Sequence, residues 1–478
     1  MALLTEVPIG RLSPERFEGV LPPEKYQQFR RGMEATERLL HGRVVWSVNS
    51  TARGGGVAEM LRSVIAYARG AGMDGRWIVI GGDPEFFRIT KRIHNHLHGS
   101  PGDGGDLGPD EQAAYQKVLD ENAEELARLV RPGDVVVLHD PQTAGLVKAM
   151  KATGAGVVWR CHVGVDLPND LARNAWKFLI DDVCEADAYV FSRRAFAWEG
   201  LDVPKIRVVP PSIDAFSPKN QSLTPETVRA IVGVAGIAGT GDGGYPRYER
   251  EDGTPARVDR RAEMIEDAHI PADARMVVQV SRWDRLKDPL GVIEGFATYV
   301  APRSDAHLVI AGPSVEAVTD DPEGAEVLEE ASSRMRELPP DVRRCVHLAC
   351  LPMDDGEENA AIVNALQRRA DIVVQKSLAE GFGLTVAEAM WKARPVVASR
   401  IGGIRDQIVE GVSGVLIDPT NLEEMGTAVV DLLEHPDRAE QLGREAATRI
   451  RDEFLGARAL LQWSDLFERV LGEKAASA

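Results

Sequence analysis

Two series of short apolar runs, each run separated from the next by a helix-length stretch, constrain this chain more than any other feature. The first series is RVVWSVN (43–49), WIVIGG (77–82), DVVVLHD (134–140), GVVWRCH (156–162) and AYVFS (188–192), and IRVVPPSID (206–214) closes it. The second is MVVQVSR (276–282), HLVIAGP (307–313), CVHLAC (345–350), DIVVQ (371–375), RPVVASR (394–400) and GVLIDP (414–419). Such alternation predicts parallel sheets covered by helices, and two series predict two Rossmann-like domains. Residues 23–41 (PEKYQQFRRGMEATERLLH) read as a helix ahead of the first strand. Between the series the pattern lapses. AGIAGTGDGGYPRYEREDGTPARVD is rich in glycine and poor in apolar residues, so about 217–262 is expected to be a loop or a partly ordered polar insertion.

With 478 residues, the chain is long enough for two α/β cores. Its formal charge of −18 disfavours nucleic acid and anionic membranes as partners. An anionic ligand would then need a local basic pocket. No apolar run approaches the roughly 20 residues of a membrane span. The opening MALLTEVPIGRLSPERFEG has no basic segment followed by an apolar core, so no secretory leader is expected. Cys161, Cys184, Cys345 and Cys350 form no CxxC pair. Reduced thiols in a cytoplasmic protein are the expectation. The sequence leaves the oligomeric state open, a homodimer included.

In α/β sheets of this kind ligands sit at the carboxyl ends of strands, and the two most specific motifs fall there. Glu380-Gly-Phe-Gly-Leu-Thr-Val-Ala-Glu388 follows DIVVQKSLA. Gly381 and Gly383 permit a tight turn, and LTVAEAMW starts a helix. Amides near Gly383, Leu384 and Thr385 would make an anion site suited to a diphosphate. Glu388 is placed to accept from a ribose diol, and Glu380 from sugar hydroxyls. Arg282 and Lys287 share the loop SRWDRLKDP after MVVQVSR, where two cations can clamp a departing diphosphate. The plain alternatives are a glycine-rich turn with solvated glutamates and a surface salt bridge.

Together, SRWDRLKD and EGFGLTVAE resemble retaining glycosyltransferases of the GT-B fold, the family that includes sucrose and glycogen synthases. The Glu-x7-Glu and Arg-x4-Lys spacings, the Gly402-Gly403 pair and the PPSID connector all take part in the likeness. The resemblance implies two Rossmann-like domains facing a central cleft, over 1–215 and 216–454. It implies that the amphipathic segment 455–478 returns to the first. It gives Arg282 and Lys287 to the donor diphosphate, Glu380 to the donor sugar and Glu388 to the ribose. No resident cofactor or structural metal is implied, because cationic side chains and helix amides neutralise the leaving group in such enzymes.

In the first half, Gly54, Gly55 and Gly56 put a glycine loop at a helix start, though not with GxGxxG spacing. VNSTARGGGVAEML, FRITKRIHNHLHG, HDPQTAGL and WRCHVGVD resemble the trehalose glycosyltransferring synthases and the related trehalose phosphorylases. That similarity implies that Asp140 and the glycine loop belong to a glucose acceptor pocket, with Lys91 and Asn95 as further candidates on the acceptor side. It puts His162 near the donor sugar. His94, His96 and His98 invite a metal, but only His94 and His98 share a helical face, and no carboxylate is spaced to complete a site. The implied reaction is reversible, retaining transfer of glucose from a nucleoside-diphospho-glucose to glucose, giving α,α-trehalose. Two alternatives stay open: a phosphorylase using phosphate and glucose 1-phosphate, and a non-catalytic sugar or nucleotide sensor.

Overall fold

The alternating apolar runs become strands buried on both faces, as parallel sheets require. The structure, a computed structural model, describes residues 3–52, 55–239, 244–315 and 322–477. It divides into two units, Met1–Ser212 with Phe454–Ala478, and Ile213–Glu453.

The first unit carries β1 (Thr5–Val7), β2 (Val44–Asn49), β3 (Asp74–Val79), β4 (Val135–His139), β5 (Gly156–Cys161), β6 (Ala188–Phe191) and β7 (Ile206–Val208). Their order is β1-β3-β2-β4-β5-β6-β7, and all pairings are parallel except that of β1 with β3. Every residue of β4 and of β5 is buried. β3 begins at Asp74, three residues ahead of the apolar run WIVIGG, because Asp74–Arg76 already pair with β2. One face of the sheet packs on a core that includes Phe86, Tyr115, Trp159, Phe191 and Trp198. The carboxyl-terminal helix Gly456–Ser477 lies against the helix Pro23–Leu39. Gly32 makes that approach possible, since a Cβ there would meet Leu461 Cδ2 at 2.2 Å.

The second unit begins with the region expected to be a loop or a partly ordered polar insertion, and its described residues include a helix and a hairpin. The helix Pro225–Val234 is capped by Thr224, whose hydroxyl accepts from the Thr227 amide at 3.3 Å. Val228, Ile231 and Val232 are buried where it packs on the helix Gly356–Arg369. Glycine-rich composition conceals the hairpin of β8 (Arg247–Glu249) and β9 (Pro255–Arg257). Its Arg250 pairs with Asp355, and Glu358 takes Arg260. Burying a few apolar residues and clamping the polar ones by ion pairs orders a segment that lacks strand periodicity. Residues 240–243 lie outside the described residues.

The sheet of this unit holds β10 (Glu263–Ile265), β11 (Met276–Val280), β12 (His307–Pro313), β13 (Val346–Leu351), β14 (Ile372–Gln375), β15 (Val396–Ser399) and β16 (Val415–Ile417). The order is β10-β13-β12-β11-β14-β15-β16, parallel apart from β10. Counting parallel strands only, this is 3-2-1-4-5-6, the dinucleotide-binding order, whereas the first unit has 2-1-3-4-5-6.

Candidate functional site

In each sheet the strand order reverses at one point, and the loops there open the crevice in which doubly wound sheets bind ligands. The reversal in the second unit lies between β11 and β14. The loops after these strands, Ser281–Asp288 and Lys376–Glu380, carry both donor motifs. They are tied together by the Leu378 amide, which donates to the Leu286 carbonyl at 2.7 Å, while the Gln279 side chain in β11 steadies the loop that follows it by donating to the Lys287 carbonyl at 3.0 Å. Lys287 Nζ lies 2.6 Å from Glu380 Oε2. Arg282 extends outward, its side chain 61% exposed, with Nη2 2.8 Å from Asp284 Oδ2. The structure thus brings Arg282, Lys287 and Glu380 onto adjoining loops, and two of them neutralise each other.

Beyond Glu380 the chain turns through Gly383, whose φ of 85° and ψ of 63° suit glycine, into the helix Leu384–Trp391. The amides of Leu384 and Thr385 head that helix, where no intrahelical acceptor exists for them. Gly402 and Gly403 have a steric reason. A Cβ on Gly402 would sit 1.8 Å from the Glu380 carbonyl, and the Gly403 amide donates to Gly381 at 2.9 Å. The Thr385 hydroxyl donates to Gln375 Oε1 at 3.1 Å. Glu388 is deeper than the motif suggests, only 3% exposed, with Lys219 Nζ at 3.8 Å. Beneath it Lys392 Nζ donates to Asn220 Oδ1 (2.9 Å), Gln367 Oε1 (2.8 Å) and the Glu388 carbonyl (3.1 Å). Burial holds the Lys392 ammonium well below the usual lysine range.

In the first unit the order reverses between β2 and β4. Asp140, just after β4, has φ 64° and ψ 179°, a region populated almost only by glycine. A side chain there costs about 1–3 kcal/mol, which marks functional positions more often than structural ones. The conformation is fixed by the Asp140 amide donating to the Arg160 carbonyl (2.8 Å) and by Trp159 Nε1 donating to the Asp140 carbonyl (3.2 Å). Its carboxylate Oδ1 accepts from the His162 amide at 2.7 Å. Burial pushes this carboxyl up to about 7, against the opposing pulls of that hydrogen bond and of Arg160.

Arg160 is fully buried; Nε donates to His162 Nε2 at 3.1 Å, and Nη2 donates to the Val209 carbonyl at 3.1 Å. Desolvation draws its pKa down to about 9. His139 Nδ1 lies 3.1 Å from the same His162 nitrogen, with the rings stacked. Arg160 Nε also lies 3.3 Å from His162 Nδ1, so the guanidinium faces both nitrogens of that ring. Burial first, then the Arg160 charge, keeps both imidazoles neutral, His139 down to about 3 and His162 well below its ordinary value.

Gly54 lies outside the described residues. The helix Gly55–Gly70 already includes Gly55 and Gly56, so they form its first turn and are not part of a loop. Lys91 and Asn95 lie on the helix Pro84–Leu97, Lys91 exposed and Asn95 half-buried. Besides the partners named above, the Asp140 carbonyl accepts from the Thr143 amide (3.3 Å) and hydroxyl (3.4 Å), and neither Lys91 nor Asn95 is among its hydrogen-bond partners. Their neighbour Arg92 is spent on a two-point pair with Asp103 (2.6 and 2.9 Å), which holds that carboxyl down to about 2. His94 and His98 do stack edge-on at 5.0 Å, yet among the described residues no group of three or more His, Cys, Asp or Glu is arranged to hold a metal. No described helix is long and apolar enough to cross a membrane.

Sequence reasoning passed over His139, Arg160, Lys219, Asp288 and Lys376. The available signal was a polar residue at or near the carboxyl end of an otherwise apolar strand, as in VVVLH, VVWRC and IVVQK.

The family model described as the trehalose synthase N-terminal domain matches residues 47–198, and glycosyl transferases group 1 matches 355–449. The chain is 33% identical over 472 residues to a trehalose synthase of Rubrobacter xylanophilus, covering 98% of this chain and 100% of that one. A trehalose phosphorylase of Grifola frondosa is 25% identical over 85% of this chain and 54% of its own length. Among solved structures, an α,α-trehalose 6-phosphate synthase from Burkholderia multivorans aligns with a TM-score of 0.64 at 18% identity, over 91% of this chain and 99% of that one.

Proposed function

This chain belongs to the trehalose synthase family of GT-B glycosyltransferases, and on that footing we propose that it transfers glucose from a nucleoside-diphospho-glucose to the anomeric hydroxyl of glucose, reversibly and with retention, giving α,α-trehalose. The observation that carries the reading is the cluster of Arg282, Lys287 and Glu380 at the strand-order reversal of the second unit. An acidic protein has there the local cations that an anionic leaving group needs. Arg282, Lys287 and the amides of Leu384 and Thr385 stabilise the diphosphate as charge develops on it. Donor arrival exchanges the Lys287–Glu380 contact for phosphate on the lysine and sugar hydroxyls on the glutamate. Glu388 takes the ribose diol once its contact with Lys219 rearranges. No resident metal is required in this scheme, so chelation with EDTA is expected to leave turnover unchanged.

On the acceptor side Asp140 orients glucose through its hydroxyls, and neutral His162 offers a ring N–H to the transferred sugar. The leaving phosphate itself takes the acceptor proton on the same face, so no carboxylate nucleophile is needed. With Arg92 occupied by Asp103, glucose 6-phosphate should be a poor acceptor. Four unpaired cysteines support a cytoplasmic location.

Incubation with a panel of nucleoside-diphospho-glucoses and glucose, followed by proton NMR, tests the proposal. A non-reducing disaccharide with both anomeric carbons α, together with free nucleoside diphosphate, is expected. A β-linked, reducing or phosphorylated product would refute it. Formation of glucose 1-phosphate from trehalose and inorganic phosphate would instead make the chain a phosphorylase.

A further inference from the structure

We propose that Lys376 is a positioning residue for the donor site, acting through Asp288 to hold Lys287 where the leaving diphosphate forms; the inference rests on the function proposed above. Lys376 comes directly after β14 and is 1% exposed. A lysine so deeply buried is stable as a cation only with a partner. Its partner is Asp288, whose Oδ2 is in contact with Lys376 Nζ.

Asp288 has a demanding position of its own. It takes a left-handed conformation (φ 48°, ψ 54°) between the short 3-10 turn Arg285–Lys287 and the helix Pro289–Gly295. Asparagine and aspartate tolerate that conformation better than most residues, but at a cost. Two contacts hold it. Oδ1 accepts from the Gly291 amide at 3.0 Å, capping the helix, and Oδ2 meets Lys376. The left-handed step at Asp288 sets the direction in which Lys287 leaves the turn. Its ammonium then falls 2.6 Å from Glu380, four residues beyond Lys376. The buried pair therefore locks the Lys287 loop to the Glu380 loop from below, while the Leu378–Leu286 hydrogen bond at 2.7 Å locks them at the rim. Removing the pair frees the turn, and a displacement of about 1 Å at a reacting centre can cost 10²-fold in rate.

A double-mutant cycle in kcat separates positioning from a general structural role and from direct contact. Lys376→Met is expected to lower kcat roughly 10- to 100-fold at a temperature where urea unfolding shows it fully folded. In a Lys287→Ala background the same change should lower kcat by no more than about threefold, because the group it positions is gone. Lys376→Arg should recover part of the loss. If K376M does not accumulate as folded protein, Asp288→Asn, which retains the cap oxygen and removes the charge, takes its place in the cycle. Multiplicative effects, or a wild-type kcat in K376M, would overturn the inference. Should Lys287→Ala itself retain wild-type kcat, the donor-site reading fails instead, so the two failures are distinguishable.

Discussion

The two units use the same architecture in opposite electrostatic styles. At the strand-order reversal of the second, charges face one another in pairs: Lys287 with Glu380, Arg282 with Asp284, Lys376 with Asp288. At the reversal of the first, burial suppresses charge. Asp140 is raised to about 7, His139 is lowered to about 3 and His162 is neutral. A diphosphate must be met by cations, and a neutral sugar by oriented hydrogen-bonding groups in a low-dielectric setting. Under the proposed function, two sheets of nearly equal design are specialised by the loops that leave their central strands.

The contrast is most exposed at the cations. Arg282→Ala and Lys287→Ala should each lower kcat by about 10² or more, with the fold intact by circular dichroism. Near-normal turnover in both would remove the charge-based reading of the second unit.

Stability against pH probes the other side. His139 has a folded pKa of about 3, far below its unfolded value, so its contribution is present above the unfolded pKa and lost as pH falls toward 3. Relative to His139→Gln, the wild type should lose about 2 kcal/mol between pH 6.5 and pH 5, at about 1.4 kcal/mol per pH unit. Asp140 acts with the opposite sign, since a raised acid loses stability as pH rises from about 4 to about 7. Urea titrations of the pair of proteins at both pH values isolate the His139 effect, and parallel curves would mean that the imidazole is not held neutral.

Smaller effects are expected from the two carboxylates. Glu388→Ala should weaken binding of free nucleoside diphosphate by roughly tenfold, as one carboxylate accepting from a diol is worth about 1.5 kcal/mol or more. Calorimetry reads this directly, and unchanged affinity would place the ribose elsewhere. Asp140→Gly relieves the positive φ but takes the acceptor from the His162 amide, so unfolding stability should change by no more than about 1 kcal/mol while glucose transfer falls. A variant with unchanged or higher activity would show that the strain at Asp140 is not tied to function.

The features legible in the chain alone are local ones. Apolar runs of strand length gave away most of the strands, because a fully buried parallel strand must be continuously apolar. The pairing of Arg282 with Lys287, and that of Glu380 with the Gly383 turn, were each legible because short spacings within one loop translate directly into proximity. Long-range pairing supplied the rest. Which strands are neighbours, and therefore that the loops after β11 and β14 meet, depends on contacts between residues some 95 apart, such as Val277 with Ile372. The same holds for Lys376 with Asp288 and for Asp140 with the His162 amide. The ordering of 217–262 was missed because its stability comes from burial against the helix Gly356–Arg369 and from ion pairs to Asp355 and Glu358, none of them within the segment itself. Burial, left-handed backbone and pKa are set by a residue's surroundings in space, whereas a sequence gives only its neighbours along the chain.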